Sequence, residues 1–477
     1  MDKTRLILLI IFFIFLACGG KGKKQGLVEE VKTEEANLAT VYEAEEILDT
    51  IIPAPGVKYK EKRSIDPNNP PIRLSLANSN KEDKNLDVAD YYTKVKYVKL
   101  KHPLPPDKGA FLGDARVRTY SGHSSTSSRG VNSMVYVTKD KIVAGDGYFG
   151  YHCYDWDGKF EYTIASMDKL PNYRPKDRTV EINWDEWDDS SRRIGSISFL
   201  EDNCIFYVIQ NKKWKSYFHN MKTRKNYLER PAVGGEPYLL NPTTVVSYFY
   251  SVHDENDRGF LASLDYKGDM LCFFMNHNPV VKRQNKASPS PDSRFMYYCN
   301  DQLTVRQAYN DTIYRVVSEK QLLPVYTMDF GSQKMDGEIA LYGDKSEKMV
   351  PYTWIETSDF VFVMHTKDYD CPSNRESGAV VFNYTYYDKA SKKLYNIPSH
   401  KLPEEYLISN SIEGGIPLIG NNIKANGKLL YIGYTKYQLE SIINQKDFSS
   451  LTQEQQEKIK SLDNDLGDGE MLVMILE

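Results

Sequence analysis

One local unit recurs along this chain: an apolar strand, an aromatic strand, an Asp/Asn–Lys/Gly turn and a closing strand. Its clearest copy is Lys141–Ala165. Ile142–Ala144 and Tyr151–Tyr154 are strand-like runs. Asp155-Trp156-Asp157-Gly158-Lys159 is a turn, since Gly accepts positive φ and Asp caps its own backbone. Phe160, Tyr162 and Ile164 then alternate with polar residues, the period of a half-buried strand.

Looser copies follow. The second takes in Cys204–Gln210, Trp214–Asn220 and Tyr227-Leu228. The third takes in Thr244–Val252, Gly259–Asp265 and Met270–Phe274, and the fourth Phe295–Cys299, Thr304–Tyr309 and Thr312–Val317. The fifth takes in Phe360–His365, Ala379–Tyr387 and Lys393–Ile397, and the last Lys428–Tyr434 and Met471–Leu476. Opening strands fall roughly 40 to 70 residues apart, the range of propeller blades carrying loop insertions. A sandwich also has many short strands. A radial array better explains so long a strand-rich chain without long exposed edges. The fold read here is all-β, a six-bladed β-propeller with a short helical insertion over 435–463. Within that insertion Tyr437, Leu439, Ile442 and Ile443 have helical spacing, and Thr452-Gln453-Glu454-Gln455 fits a capping box. Ile72–Leu76 and Val95–Leu100 are strands ahead of the units, with a helical turn over Asp87–Tyr92. A strand at the start pairing with Met471–Leu476 would close the ring.

Composition agrees. The chain has 477 residues, 41% hydrophobic, with 35 Tyr, and aromatics favour pleated surfaces. A net charge of −4 argues against nucleic acid as partner. Lys3 and Arg5 precede the apolar run Leu6–Leu16, too short for a comfortable membrane span. Ala17-Cys18-Gly19 follows, with a small residue before the cysteine as in a bacterial lipobox. Residues 1–18 are therefore expected to be a lipoprotein signal ending at an acylated Cys18, which would anchor the chain to a membrane. Residues 19–71 read as a polar tether. Val41–Ile52 within it has some helical character, and prolines mark its end. Residues 72–477 form the propeller domain.

Of the six cysteines, five remain beyond Cys18: Cys153, Cys204, Cys272, Cys299 and Cys371. None forms a CxxC pair, and four lie in apolar strands, as small buried hydrophobes do. The eight histidines are scattered, without HxH or HExxH. His152 and His219 sit just ahead of the turn in the first two units, where packing is the expected role. No metal or cofactor is implied. There is no GxSxG elbow, and Gly145–Gly150 lacks a strand-to-helix setting. Ser121–Ser128 reads as a loop. The densest unusual cluster is Asn183-Trp184-Asp185-Glu186-Trp187-Asp188-Asp189. Trp184 and Trp187 could stack on a sugar and Asp185 and Asp188 supply oxygen ligands. The spacing is not that of an EF-hand, and a solvated inter-strand loop is the favoured reading.

In order, Tyr97-Val98-Lys99-Leu100, Asp155–Phe160, Asn310-Asp311-Thr312-Ile313-Tyr314-Arg315, Tyr326–Gly331, the late helix and the terminal strand resemble the six-bladed β-propeller lipoproteins of Bacteroides-type bacteria, catalogued as domains of unknown function. The resemblance spans Ile72 to the end. It departs at Met167–Pro171, where a Gly-rich stretch is usual. It implies fold and location, a lipid-anchored place in the cell envelope, and carries no catalytic residues. Asp49-Thr50-Ile51 and Asp311-Thr312-Ile313 resemble the O-glycosylation sequon of such bacteria. The functional expectation is a non-enzymatic binding module for a glycan, peptide or partner protein. The alternative is a carbohydrate-active enzyme, a glycosidase or lyase, with its site at the propeller axis.

Overall fold

The computed structural model describes residues 40–43 and most of 62–477. The chief segments outside them are 104–111, 120–134, 183–192, 249–258, 276–294, 368–381 and 399–406. Six antiparallel blades make up the fold. Blade 1 is Val135–Val137, Ile142–Gly145, Gly150–Tyr154 and Phe160–Ser166. Blade 2 is Arg193–Leu200, Asn203–Gln210, Lys213–Asn220 and Lys225–Pro231. Blade 3 is Glu236–Asn241, Thr244–Tyr248, Gly259–Leu264 and Met270–Met275. Blade 4 is Phe295–Cys299, Gln302–Arg306, Thr312–Ser318 and Gln321–Asp329. Blade 5 is Met349–Glu356, Phe360–Lys367, Phe382–Asp388 and Lys393–Ile397. Blade 6 takes Lys424–Asn426, Leu429–Thr435 and Met471–Leu476 from the end of the chain, and Val95–Leu100 from its beginning.

That last pairing closes the ring as expected. Met471 faces Leu100 and Leu476 faces Val95 in unbroken antiparallel register. All six residues of Met471–Leu476 are buried, so the strand is apolar on both faces. On the way to blade 6 the N-terminal segment runs as a strap over two other outer edges. Lys62–Ile65 and Ile72–Ser75 pair parallel with Gln321–Asp329 of blade 4. Glu82–Asp83 pairs parallel with Tyr395-Asn396 of blade 5, and Asp87 bridges to Ser409. Thr40–Glu43, read from sequence as tether with some helical character, is a strand paired with Lys62–Ile65. The turn foreseen near Asp87 is present over Val88–Asp90, capped by the Asp87 side chain.

Burial follows the ring, because each blade is covered on both faces by its neighbours. One cluster joins blades 1 and 2 through Cys153, Phe199 and Phe206. Others join 2 to 3 through Phe218 and Leu239, and 3 to 4 through Phe274 and Tyr314. Trp354 and Met328 join 4 to 5, and Val135 and Val473 join 6 to 1. The largest cluster joins blades 5 and 6 and takes in the helical insertion. There α2 (Lys436–Ile443) and α3 (Gln453–Asp465) bury Leu439, Ile442 and Ile459, after the short α1 (Gly337–Tyr342) that sequence reading missed. Thr452 and Gln455 form the foreseen capping box, and Thr435 with Gln438 forms a second. Cys153, Cys204, Cys272 and Cys299 are buried free thiols, and burial raises Cys153 to about 11; Cys371 lies outside the described residues.

The turns between third and fourth strands share one device. Asp155 Oδ1 accepts from the amides of Asp157 and Lys159, both at 2.9 Å, and Gly158 takes φ +80°. Asp265 repeats this with Lys267, Asp269 and Gly268. Asn220 and Asp388 cap the equivalent turns of blades 2 and 5.

A Cβ on Gly158 would sit 2.4 Å from the Lys99 carbonyl of the closing strand, whereas Gly427, φ +59°, has open space around it. Gly427→Ala should therefore cost the left-handed strain alone, about 1 kcal/mol, and Gly158→Ala more than about 2 kcal/mol. Urea denaturation of the two variants reads the difference. Deleting 471–477 should abolish the cooperative melt of the whole ring, which circular dichroism follows.

Candidate functional site

Antiparallel blades sort their connections onto two faces. First-to-second and third-to-fourth strand links emerge on one face. There they are short: 201–202, 242–243, 300–301 and 357–359 are examples. Second-to-third links and blade-to-blade links emerge on the other. They include 101–134, 167–192, 249–258, 276–294, 368–381, 398–423 and 436–470. The longer connections therefore begin and end on one side of the ring.

Tyrosines of the inner strands meet near the hub between the faces. Tyr136 of blade 1 stacks on Phe199 of blade 2, with ring centres 4.4 Å apart. Burial holds its phenol well above the usual value, and the neighbouring Tyr431, Tyr298 and Asp301 push the same way against a hydrogen bond from Asn426. Asn426 also donates to the Val137 carbonyl at 2.8 Å. Tyr298 of blade 4 donates to the Leu239 carbonyl of blade 3 at 2.7 Å. On the short-turn side, Ser358 Oγ lies 2.9 Å from both Asn300 Oδ1 and the Gly427 carbonyl, tying blades 4, 5 and 6 together. The first strands of blades 4 and 6 approach within 8 Å, Cα to Cα, although blade 5 lies between them in the chain. On the long-loop side of these contacts, Lys424 opens the first strand of blade 6. Its side chain reaches water while protein encloses it, and that enclosure lowers its pKa.

The most concentrated charge in the described structure lies between blades 4 and 5. Glu356, 2% exposed, ends the first strand of blade 5. Its Oε1 accepts from Arg315 at 2.6 Å, Tyr326 at 2.8 Å and Lys389 at 3.0 Å. Its Oε2 accepts from Tyr297 at 2.7 Å, and Tyr297 accepts from Trp354 Nε1 at 2.6 Å. Burial works against the carboxylate and is the largest influence. Arg315, Lys389 and the two phenols together outweigh it and hold Glu356 below its ordinary value. A carboxylate whose acceptor sites are committed to four protein groups is a clasp between blades, not a general base. Sequence reading passed over Glu356 among 65 acidic residues. The available signal was a charge inside the strand-like run Tyr352–Phe362.

Among the residues foreseen as ligand-binding, Trp184, Asp185, Trp187 and Asp188 lie outside the described residues, as does Cys18. The four ligand candidates fall in the chain between Ile182 and Arg193. His152 and His219 serve packing. His152 Nδ1 lies 3.0 Å from Thr163 Oγ1, and its ring meets His102 edge-on. His219 contacts the Tyr162 hydroxyl at 3.1 Å and Asn226 at 2.9 Å. Among the described residues no three His, Cys, Asp or Glu side chains are grouped to hold a metal. No helix among them is long and apolar enough to cross a membrane.

The family model described as Domain of unknown function (DUF4933) matches residues 54–445, most of the chain. The chain belongs to the DUF4933 family. Among solved structures, it is similar to a candidate exported protein of Bacteroides fragilis NCTC 9343, with TM-score 0.49 and 12% identity over 85% of this chain and 98% of that one. It is also similar to BamB from Moraxella catarrhalis, with TM-score 0.31 and 10% identity over 72% and 96%. Hydrazine synthase of Kuenenia stuttgartiensis matches with TM-score 0.30 and 11% identity over 70% and 83%. No curated protein matches the chain. No activity is carried over to this DUF4933 chain from any of them.

Glu356→Gln should cost about 3–5 kcal/mol, because Arg315 and Lys389 are left facing a neutral amide in a buried place. The sign in pH follows from the lowered folded-state value. The clasp is fully present above the ordinary Glu value of 4.5 and is lost as pH falls through the folded one. Urea titrations from pH 7 to 3 should show stability falling less steeply in the variant than in the parent.

Proposed function

We propose that this protein is an exported, lipid-anchored binding module of the cell envelope. It recognises a glycan, peptide or partner protein on the face that carries the long connections. The observation that carries this reading is the contrast between a hub where tyrosines meet and the longer connections that begin and end on one face. Propellers present loops for recognition. In this reading Trp184 and Trp187 stack on the ligand, and Asp185 and Asp188 orient it by hydrogen bonds. The address rests on the N-terminal segment, whose apolar run ends at Ala17-Cys18.

Glycan and peptide arrays, with product analysis of every hit, test the binding role. The expected outcome is an intact bound ligand whose affinity falls at least tenfold in the Trp184→Ala/Trp187→Ala variant. A cleaved hit would establish the carbohydrate-active alternative instead, and unchanged affinity would remove the Trp loop from the site. For the address, Cys18→Ser should release the protein from the membrane fraction of its cells. A membrane-bound share equal to the parent's would refute the anchor.

A further inference from the structure

Where the strap crosses from blade 4 to blade 5 it leaves a groove of about 290 Å³. Arg73 and Ser75 form one wall, Lys81 and Glu82 a second, and Lys393, Leu394 and Tyr395 of the blade 5 outer strand a third. This site lies on the outer rim, at the outer strand of blade 5 and away from the hub. Among the described residues three cations and one carboxylate line it, and the Asp329 carboxylate pairs with Arg73 beside it.

The cations are held in place by different means. Asp329 Oδ2 accepts from Arg73 Nε at 3.0 Å and Nη2 at 2.8 Å, which fixes the guanidinium plane. Lys81 Nζ donates to the Leu76 carbonyl at 2.7 Å, and burial lowers its pKa. Behind Lys81, His365 is 3% exposed, and its Nδ1 has no hydrogen-bond partner among the described residues. Burial and then the Lys81 charge hold that imidazole down to about 3, so it is neutral beside the groove. Lys393 stands at the outer wall, on the strand that pairs with Glu82–Asp83.

We propose that this groove binds a tetrahedral oxyanion, inorganic sulfate or phosphate or the same group as an ester on a larger ligand. Donors on three separate walls suit three or four anion oxygens better than the two of a carboxylate. An anion beside Lys81 also offsets the loss of solvation that its partial burial imposes.

The test is calorimetric titration of the detergent-solubilised full chain with sodium sulfate and with sodium phosphate at fixed ionic strength. A saturable one-to-one isotherm is expected for at least one of them, and the tighter anion identifies the ester class. Lys81→Met and Lys393→Met should each weaken it at least tenfold. Lys159→Ala, on the opposite side of the ring in a blade 1 turn, should leave it unchanged. Lys393 is exposed, so its loss reads binding without disturbing the fold, and melting curves check that Lys81→Met remains folded. Absence of saturable binding by both anions overturns the proposal, as does affinity unchanged in Lys393→Met.

Discussion

A β-sheet edge left open is an unsatisfied row of hydrogen-bonding groups, and this fold depends on removing one such edge. Blade 6 receives its outer strand from Val95–Leu100, about 370 residues away in sequence from Met471–Leu476. Neither half of the chain can complete that blade alone. Closure therefore couples the first blade to the last, and the packed interfaces between blades become one continuous core. The strap extends the same logic outward, since its parallel pairings cover the outer strands of blades 4 and 5 before the ring closes. The groove proposed as an oxyanion site lies where the strap passes from one of those edges to the other.

Polar groups locate the blades where apolar contact alone would let them slide. Glu356 is the strongest case, gathering Arg315, Tyr326 and Tyr297 from blade 4 with Lys389 from blade 5. Its value lies less in net stability than in the cost of leaving its partners alone. Tyr162 with His219 does the same between blades 1 and 2, and Ser358 ties three turns at the hub. These contacts explain why so many tyrosines are retained. Tyr162, Tyr298 and Tyr326 each set a ring between blades while the hydroxyl reaches a partner across the interface.

Much of the architecture was legible from local chemistry. The turns at Asp155 and Asp265 need Asp followed by Gly, and both were read correctly. The second, third and fourth strands of blades 1, 2, 3 and 5 were recognised from their apolar and aromatic runs. Their first strands were missed. Val135–Val137 is too short to show a period, Glu236–Asn241 contains Pro237, and Arg193–Leu200 opens on a charge and includes Gly195. Strands beside the axis border polar hub groups as well as the core, so their pattern is mixed. The Trp184–Asp188 cluster was visible as composition, but composition places no side chain.

By itself the sequence determined the repeat, the strand-rich class, the capped turns, the helix boundary at Thr452 and the signal-like N-terminus. All of these arise from interactions within a few residues, which local pattern encodes. Tertiary structure decided what Glu356, Tyr136, Lys81 and His365 are. Each is an ordinary residue in an ordinary strand or turn until a different blade, or the strap, is brought against it. Burial, partner geometry and local potential are properties of that meeting, and residues hundreds of positions apart leave no local trace of it.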